Sequence, residues 1–434
     1  MDQAVVTLCV LAVAAFLFVT ELIPLAVTAM GAAVSLGLLG VLTTKQVFAG
    51  LSDSTVVLFA GMFVIGTAMF KTGLAQAIGM GVVKRAGTKE NNLMFAIMMV
   101  TVVLSAVSSN TGTVACLMPV VIGICQAAKI STSRQLMPLA VAANVGGTIT
   151  MIGTPPNLIV SGSLQAAGLA PFSFFEFAWI GIPLSLLGIV YMMTIGKRLV
   201  RDTGAGQIDE ASAAALKAAA EEAGAGDESD AKDTKKMWIS GIIMLGVVLC
   251  MALDLKWLPL QTAAIIGALL CVLTKCITEK EAYAGIDWVT IFLFAGMLSV
   301  ATAMEKSGAG KLIADVVVGF LGADPNPVMV TGVLFLISCG LTQFMSNTAA
   351  AALLGPIGIS IAQGIGASPY PVLMAIGIAA SCAFTTPVAT PPNTLILGPG
   401  NFNFMDYVKC GTTLAVLSLI LCLIVIPMVW PFFP

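Results

Sequence analysis

The chain has 434 residues, 58% of them hydrophobic and 10% charged, a formal net charge of -2 and a mean hydropathy of +1.02. That leaves too little polar surface to cover a soluble globule, so the composition points to a polytopic protein in a lipid bilayer. A pI near 5.3 argues against a nucleic-acid partner, and ten scattered cysteines with no histidine suggest neither a zinc site nor a disulfide framework.

Residues 3–20 have no basic stretch before them and read as a retained helix rather than a cleaved signal peptide. Spans over 24–42 and 54–70 follow, then a short arm. Next come a helix pair broken at Ser109-Asn110-Thr111, a helix broken at Gly153-Thr154-Pro155-Pro156-Asn157, and a last span over 176–196. Residues 201–237 change character, becoming rich in Ala, Gly, Glu, Asp and Lys. They read as a solvated linker, helical around Ala211 to Glu222. The order then repeats, with spans at 238–254, 259–275 and 288–304, an arm, a break at Ser346-Asn347-Thr348, a break at Ala389-Thr390-Pro391-Pro392-Asn393, and a span at 411–430.

The halves are copies. Phe59-Ala60-Gly61-Met62 returns as Phe294-Ala295-Gly296-Met297, Pro24-Leu25 as Pro259-Leu260, and Pro119 as Pro356, with spacing held at 235 to 237 positions. Whether the segments flanking each Ser-Asn-Thr cross the bilayer twice or dip and return, each half makes an odd number of net crossings, so the second half is upside down. With the linker in the cytoplasm, Lys84, Arg85, Lys89, Lys129, Arg134, Lys197, Arg198, Arg201, Lys275, Lys280 and Lys409 share its side, while Lys45, Lys256, Lys306 and Lys311 lie outside. Both termini are then extracytoplasmic. Inverted repeats with broken helices are the architecture of secondary transporters.

Irregular backbone persists at membrane depth only where it is buried in protein or lines a cavity. No Asp, Glu, Lys or Arg occurs between Asn91 and Ala128, between Gln135 and Phe175, or between Pro325 and Met405. A ligand there is held by hydroxyls, amides, backbone and helix ends: helix starts suit an anion, and oxygens of unwound backbone suit a hard cation such as Na⁺. A single Ser-Asn-Thr would read as packing glue, since such hydrogen bonds contribute about 0.6 kcal/mol in membranes. Two copies, each paired with Thr-Pro-Pro-Asn, reverse that reading. Ser105 and Thr342, one turn before the breaks, point to the same place. Asn144, without a counterpart in the second half, reads as a packing residue.

These paired motifs resemble the divalent anion:sodium symporter family along nearly the whole chain from Val5 onward. The resemblance implies an all-α fold of two inverted repeats, each with a re-entrant helical hairpin and a broken transmembrane helix, forming an elevator-type homodimer in the cell membrane. Scaffold parts would be 1–88 and 238–322, and transport parts 91–200 and 325–434. It implies one sodium site at Ser105, Ser109, Asn110 and Gly153, and a second at Thr342, Met345, Asn347 and Ala389. Substrate contacts would be Asn110, Thr111, Thr154, Pro155, Asn347, Thr348, Thr390 and Pro391. The expected function is sodium-coupled symport of small dianions, C4-dicarboxylates such as succinate or malate foremost. Citrate or sulfate transport and sodium-independent exchange are same-fold alternatives. A channel is disfavoured by hairpins entering from opposite sides. An intramembrane enzyme is disfavoured by the lack of histidine, metal-ligand cluster or carboxylate pair near the breaks.

Overall fold

A computed structural model describes residues 2–87, 89–204, 233–253, 255, 257–321 and 326–433. The expected linker helix at Ala211 to Glu222 and Lys256 lie outside the described residues, as does most of the linker. The described chain is helical. Eight of its helices are long and apolar enough to cross a membrane, so the protein is an all-α polytopic membrane protein.

In the first half, α1 (Gln3–Thr20) starts from an Asp2 cap, and Pro24 starts α2 (Leu25–Leu38). After a short α3 (Thr44–Val47), Asp53 accepts a hydrogen bond from Thr55 N at 2.8 Å and begins α4 (Ser54–Lys71). The arm is α5 (Leu74–Ala86). Then come α6 (Glu90–Val107), α7 (Asn110–Ala128), α8 (Ser133–Gly146), α9 (Pro155–Ala166) and α10 (Ala178–Tyr191), which runs on through a wide turn at Met192–Gly196.

The second half repeats this order. It begins with α11 (Thr234–Ala252), α12 (Leu260–Leu273), the short α13 (Glu279–Ala284), α14 (Trp288–Ser307) and the arm α15 (Ala309–Leu321). It ends with α16 (Pro327–Leu341), α17 (Asn347–Gly364), α18 (Pro369–Ser381), α19 (Pro391–Leu397) and α20 (Phe404–Val429).

Several boundaries differ from expectation. The spans at 24–42 and 259–275 shrink to the 14-residue helices α2 and α12, because each ends before a left-handed residue at a matched position, Gly40 (φ 77) and Lys275 (φ 58). Helix α20 begins at Phe404 rather than 411, since Asn403 and Asp406 form a capping box there. Asp233, which accepts from Lys235 N at 3.0 Å, starts α11 inside the expected linker.

The halves interlock. Helix α2 packs on α14 and α4 on α12, while α9 lies against α17 and α18, and α19 against α7 and α8. The duplicated Phe-Ala-Gly-Met segments explain the first two contacts. Gly61 lies against the backbone of Ala264, where a Cβ would come within 2.8 Å of its carbonyl carbon, and Gly296 lies against Ala29 at 2.6 Å in the same sense. Glycine at these crossings lets helix backbones approach, which is how helices associate where no hydrophobic drive separates them from lipid. Phe59 and Phe294 of the two segments meet edge to face at 5.8 Å.

Candidate functional site

Four helix breaks share one local chemistry. At Ser109 and Ser346 the backbone is extended (φ -58, ψ 132 and φ -55, ψ 135) before α7 and α17 begin. At Thr154 and Thr390 it is extended again (φ -146, ψ 142 and φ -143, ψ 148) before the prolines that start α9 and α19. The residue before a proline is driven out of the helical region, and proline fits the first helical position because that position needs no N–H. Thr-Pro-Pro therefore keeps its threonine extended and starts the next helix, while α8 and α18 have already ended at Gly146 and Ser381.

The first break gathers oxygens. The Ser105 hydroxyl reaches Asn110 Oδ1 at 2.5 Å and Ala143 O at 2.8 Å. The same end of the Asn110 amide stands 3.1 Å from Ala143 O and 3.2 Å from Gly153 O. Apart from the one Ser105 proton these are all acceptors, so they can be reconciled by the amide turning its NH₂ inward or by a cation among them. Gly147 is required here, since a Cβ would lie 2.5 Å from Asn110 Oδ1 and 2.9 Å from Gly153 O.

The second break has the same arrangement 237 positions on. Thr342 Oγ1 donates to Asn347 Oδ1 and lies 2.8 Å from Ala380 O, so again one proton serves two acceptors. Ser105 and Thr342 are fully buried.

The asparagines that close each Thr-Pro-Pro-Asn hold the unwound backbone. Asn157 Nδ2 donates to Gly147 O (3.3 Å) and Thr150 O (2.9 Å); Asn393 Nδ2 donates to Ala383 O and Thr386 O, both at 2.9 Å. Thr150 Oγ1 donates to Ala106 O, and Thr386 Oγ1 donates to Gln343 O at 2.8 Å. These bonds satisfy the carbonyls that the breaks leave without helical partners.

The structure thus joins Ser105, Asn110 and Gly153 in one cluster and Thr342 and Asn347 in another. Ser109 stands apart, exposed, its hydroxyl accepting from Gly112 N at 3.3 Å. Met345, two residues before Asn347, and Ala389, just before Thr390, are buried, but no hydrogen bond ties them to Thr342 or Asn347 among the described residues. Thr154, Thr348 and Thr390 are buried, Thr111 and Pro155 half-buried and Pro391 exposed.

Three residues escaped the sequence reading. Ala143 and Ala380 act through their carbonyls, which no residue type announces. Gln343 is a buried brace: its amide donates to Cys339 O (2.8 Å) and Cys382 O (3.2 Å) and accepts from Thr385 N (3.0 Å) and Oγ1 (2.6 Å). Its signal was a lone amide beside Thr342 in a charge-free apolar run.

Comparison with known proteins identifies the fold and the family. In solved structures, the fold resembles the YdaH transporter of Alcanivorax borkumensis (TM-score 0.63, 14% identical, all of both chains). It also resembles MtrF of Neisseria gonorrhoeae (TM-score 0.60, 14% identical, 90% of this chain and 84% of that one). In sequence, the chain is similar to the uncharacterized transporter YfbS of Escherichia coli, 28% identical over 98% of this chain and 99% of that protein. An uncharacterized transporter of Haemophilus influenzae is 31% identical over 96% of this chain and 89% of that one. The sodium-dependent dicarboxylate transporter SdcS of Staphylococcus aureus is 26% identical over 95% and 84%. The citrate transporter family model matches residues 15–371. This protein therefore belongs to the citrate transporter family, of divalent anion:sodium symporter type, and is a membrane transporter rather than an enzyme.

Proposed function

We propose that this transporter couples the uptake of small dianions, C4-dicarboxylates such as succinate or malate, to sodium. The observation that carries the reading is the pair of acceptor-rich clusters, Ser105–Asn110–Ala143–Gly153 and Thr342–Asn347–Ala380, in stretches without one charged residue. Clustered carbonyl, hydroxyl and amide oxygens are a ligand set for a hard monovalent cation. With no fixed positive charge nearby, a dianion lacks a counter-charge until sodium arrives, which is a physical reason for coupling. Asn110, Thr111, Thr154, Pro155, Asn347, Thr348, Thr390 and Pro391 are the proposed substrate contacts. Ser109, Met345 and Ala389 complete the proposed sodium ligands. The sodium dependence and dicarboxylate named for the Staphylococcus aureus relative support this choice.

The proposed architecture is two inverted repeats in a homodimer in the cell membrane, with the linker cytoplasmic and both termini outside. Transport parts (91–200 and 325–434) move as an elevator against scaffold parts (1–88 and 238–322). Contacts between helix ends fit that inversion: Lys71 pairs with Glu281 at 3.4 Å, Arg201 donates to Asn401 O at 3.3 Å, and Trp430 donates to Glu176 at 2.7 Å. Each joins segments expected on one side.

Uptake of labelled succinate into proteoliposomes, driven in turn by inward Na⁺, K⁺ and H⁺ gradients and competed with malate, citrate and sulfate, tests the function. Uptake that requires Na⁺ and is blocked by malate is expected. Uptake indifferent to Na⁺ but stimulated by internal dicarboxylate would overturn coupling and make the protein an exchanger.

A further inference from the structure

The hydrogen bonds that hold the two breaks mostly come in matched pairs, but one connection between the halves has no mirror. Asn144, 1% exposed in α8, donates its side-chain amide to Asn393 Oδ1 at 3.2 Å and to Thr390 Oγ1 at 3.4 Å. Asn393 spends its own NH₂ on Ala383 O and Thr386 O, so its oxygen depends on Asn144 for a donor. At the matched position in α18 stands Ser381, whose hydroxyl bonds instead to Gly377 O at 3.3 Å within its own helix. The consequence is visible opposite it. Asn157, the counterpart of Asn393, is fully buried, and its Oδ1 has no hydrogen-bond partner among the described residues.

Asn144 also directly follows Ala143, whose carbonyl belongs to the first oxygen cluster. The bonds then run on without a gap. Ser105 reaches Ala143 O, Asn144 reaches Thr390 and Asn393, Asn393 holds Thr386 O, and the Thr386 hydroxyl holds the carbonyl of Gln343, the residue after Thr342. A cation held by Ala143 O would pull on the peptide that carries Asn144. A shift there bears on Thr390.

Resting on the sodium-coupled reading above, we infer that Asn144 is a positioning residue that ties the first cation cluster to the second break, so that cation binding in one half orients Thr390 in the other. The missing mirror tie makes this link one-way in the chain: the first half is bonded to the second break, and the first break is left with an idle acceptor at Asn157.

The test is sodium-activated succinate uptake, with thermal melting in detergent, for the unmutated protein, Asn144→Ser and Ser381→Asn. Asn144→Ser copies the residue found in the second half. It is expected to raise both half-saturating sodium and the succinate KM about five-fold, the worth of one buried hydrogen bond, with maximal rate kept. It should also cut the rise in melting temperature that sodium plus succinate produce, which a merely structural loss would leave intact. Ser381→Asn should raise the melting temperature without ligand, because Asn157 gains a donor.

Sodium activation and KM for Asn144→Ser within about two-fold of the unmutated protein, or a lower melting temperature with an unchanged ligand response, overturn the inference. Should Asn144→Ser not fold, an unchanged melting temperature in Ser381→Asn overturns it. Absence of sodium activation in the unmutated protein instead overturns the sodium reading. The succinate KM of Asn144→Ser then still tests whether Thr390 depends on Asn144.

Discussion

The Asn110 amide sits where two backbone carbonyls and the Ser105 hydroxyl converge, and the space around it is set by a missing side chain. A Cβ at Gly147 would lie 2.5 Å from Asn110 Oδ1, too close for either orientation of the amide. Gly147→Ala is therefore expected to lower sodium-activated uptake by at least about tenfold, because the added Cβ meets both the Asn110 amide and Gly153 O, 2.9 Å away, at the site. A sodium titration of uptake with a melting curve checks this; full uptake with the variant would mean that Asn110 does not hold the cation. The closing asparagines act differently. Asn393→Leu removes two carbonyl bonds inside the protein, and buried carbonyls without donors cost about 1–3 kcal/mol each. It should lower the melting temperature with or without sodium, and an unchanged melting temperature would show that water replaces the amide.

Helices are positioned by their ends and by glycine contacts. Gly411 of α20 lies against Phe384 O, inside contact distance for any Cβ, so the last helix rests directly on the unwound segment between α18 and α19. Gly411→Ala should displace that segment and weaken substrate uptake more than Ala at exposed Thr412 does, measured as KM in the same vesicles; equal effects would refute the contact's importance. At the end of α4, Lys71 pairs with Glu281, both about one-third exposed, so the pair is a weak one of well under about 1 kcal/mol. Hydrogen bonds from Thr278, its N–H first and then its hydroxyl, with Lys71 adding to them, hold the Glu281 carboxyl below its ordinary range. A folded-state value below the unfolded one gives stability that is present above the unfolded value and lost as pH falls through the folded one. Glu281→Gln should then melt slightly lower than the unmutated protein at neutral pH, with the gap closing below the ordinary glutamate range. A gap that stays constant to acid pH would refute it.

At the scale of the molecule, the interlocked halves place each break beside helices of the opposite half, and the proposed elevator asks one set of helices to slide past another. The Ser54 and Gln165 side chains bridge that seam at 3.0 Å. In a background without the native cysteines, Ser54→Cys with Gln165→Cys should cross-link with mercuric ion and stop uptake, and a thiol should restore it. Uptake that persists in fully cross-linked protein would rule out sliding at this seam.

Duplication and break chemistry were legible in the chain because they are local. Proline at the first helical position, a serine or threonine before it, and a repeat held at one offset report themselves residue by residue. Glycines in the Phe-Ala-Gly-Met copies were visible too, although not what they touch. Tertiary structure alone decided the rest. Ala143, Ala380 and Gly147 matter through carbonyls or an absent side chain, and such roles have no residue signature. Gln343 went unmarked and Asn144 was seen only as a packing residue, because a buried amide is defined by its partners, which are far away in sequence: Asn144 meets Asn393 across 249 positions. By itself the sequence determined where the four breaks fall. Which oxygens those breaks bring together depended on how the two halves fold into each other, since every buried polar group had to find its partner inside the protein.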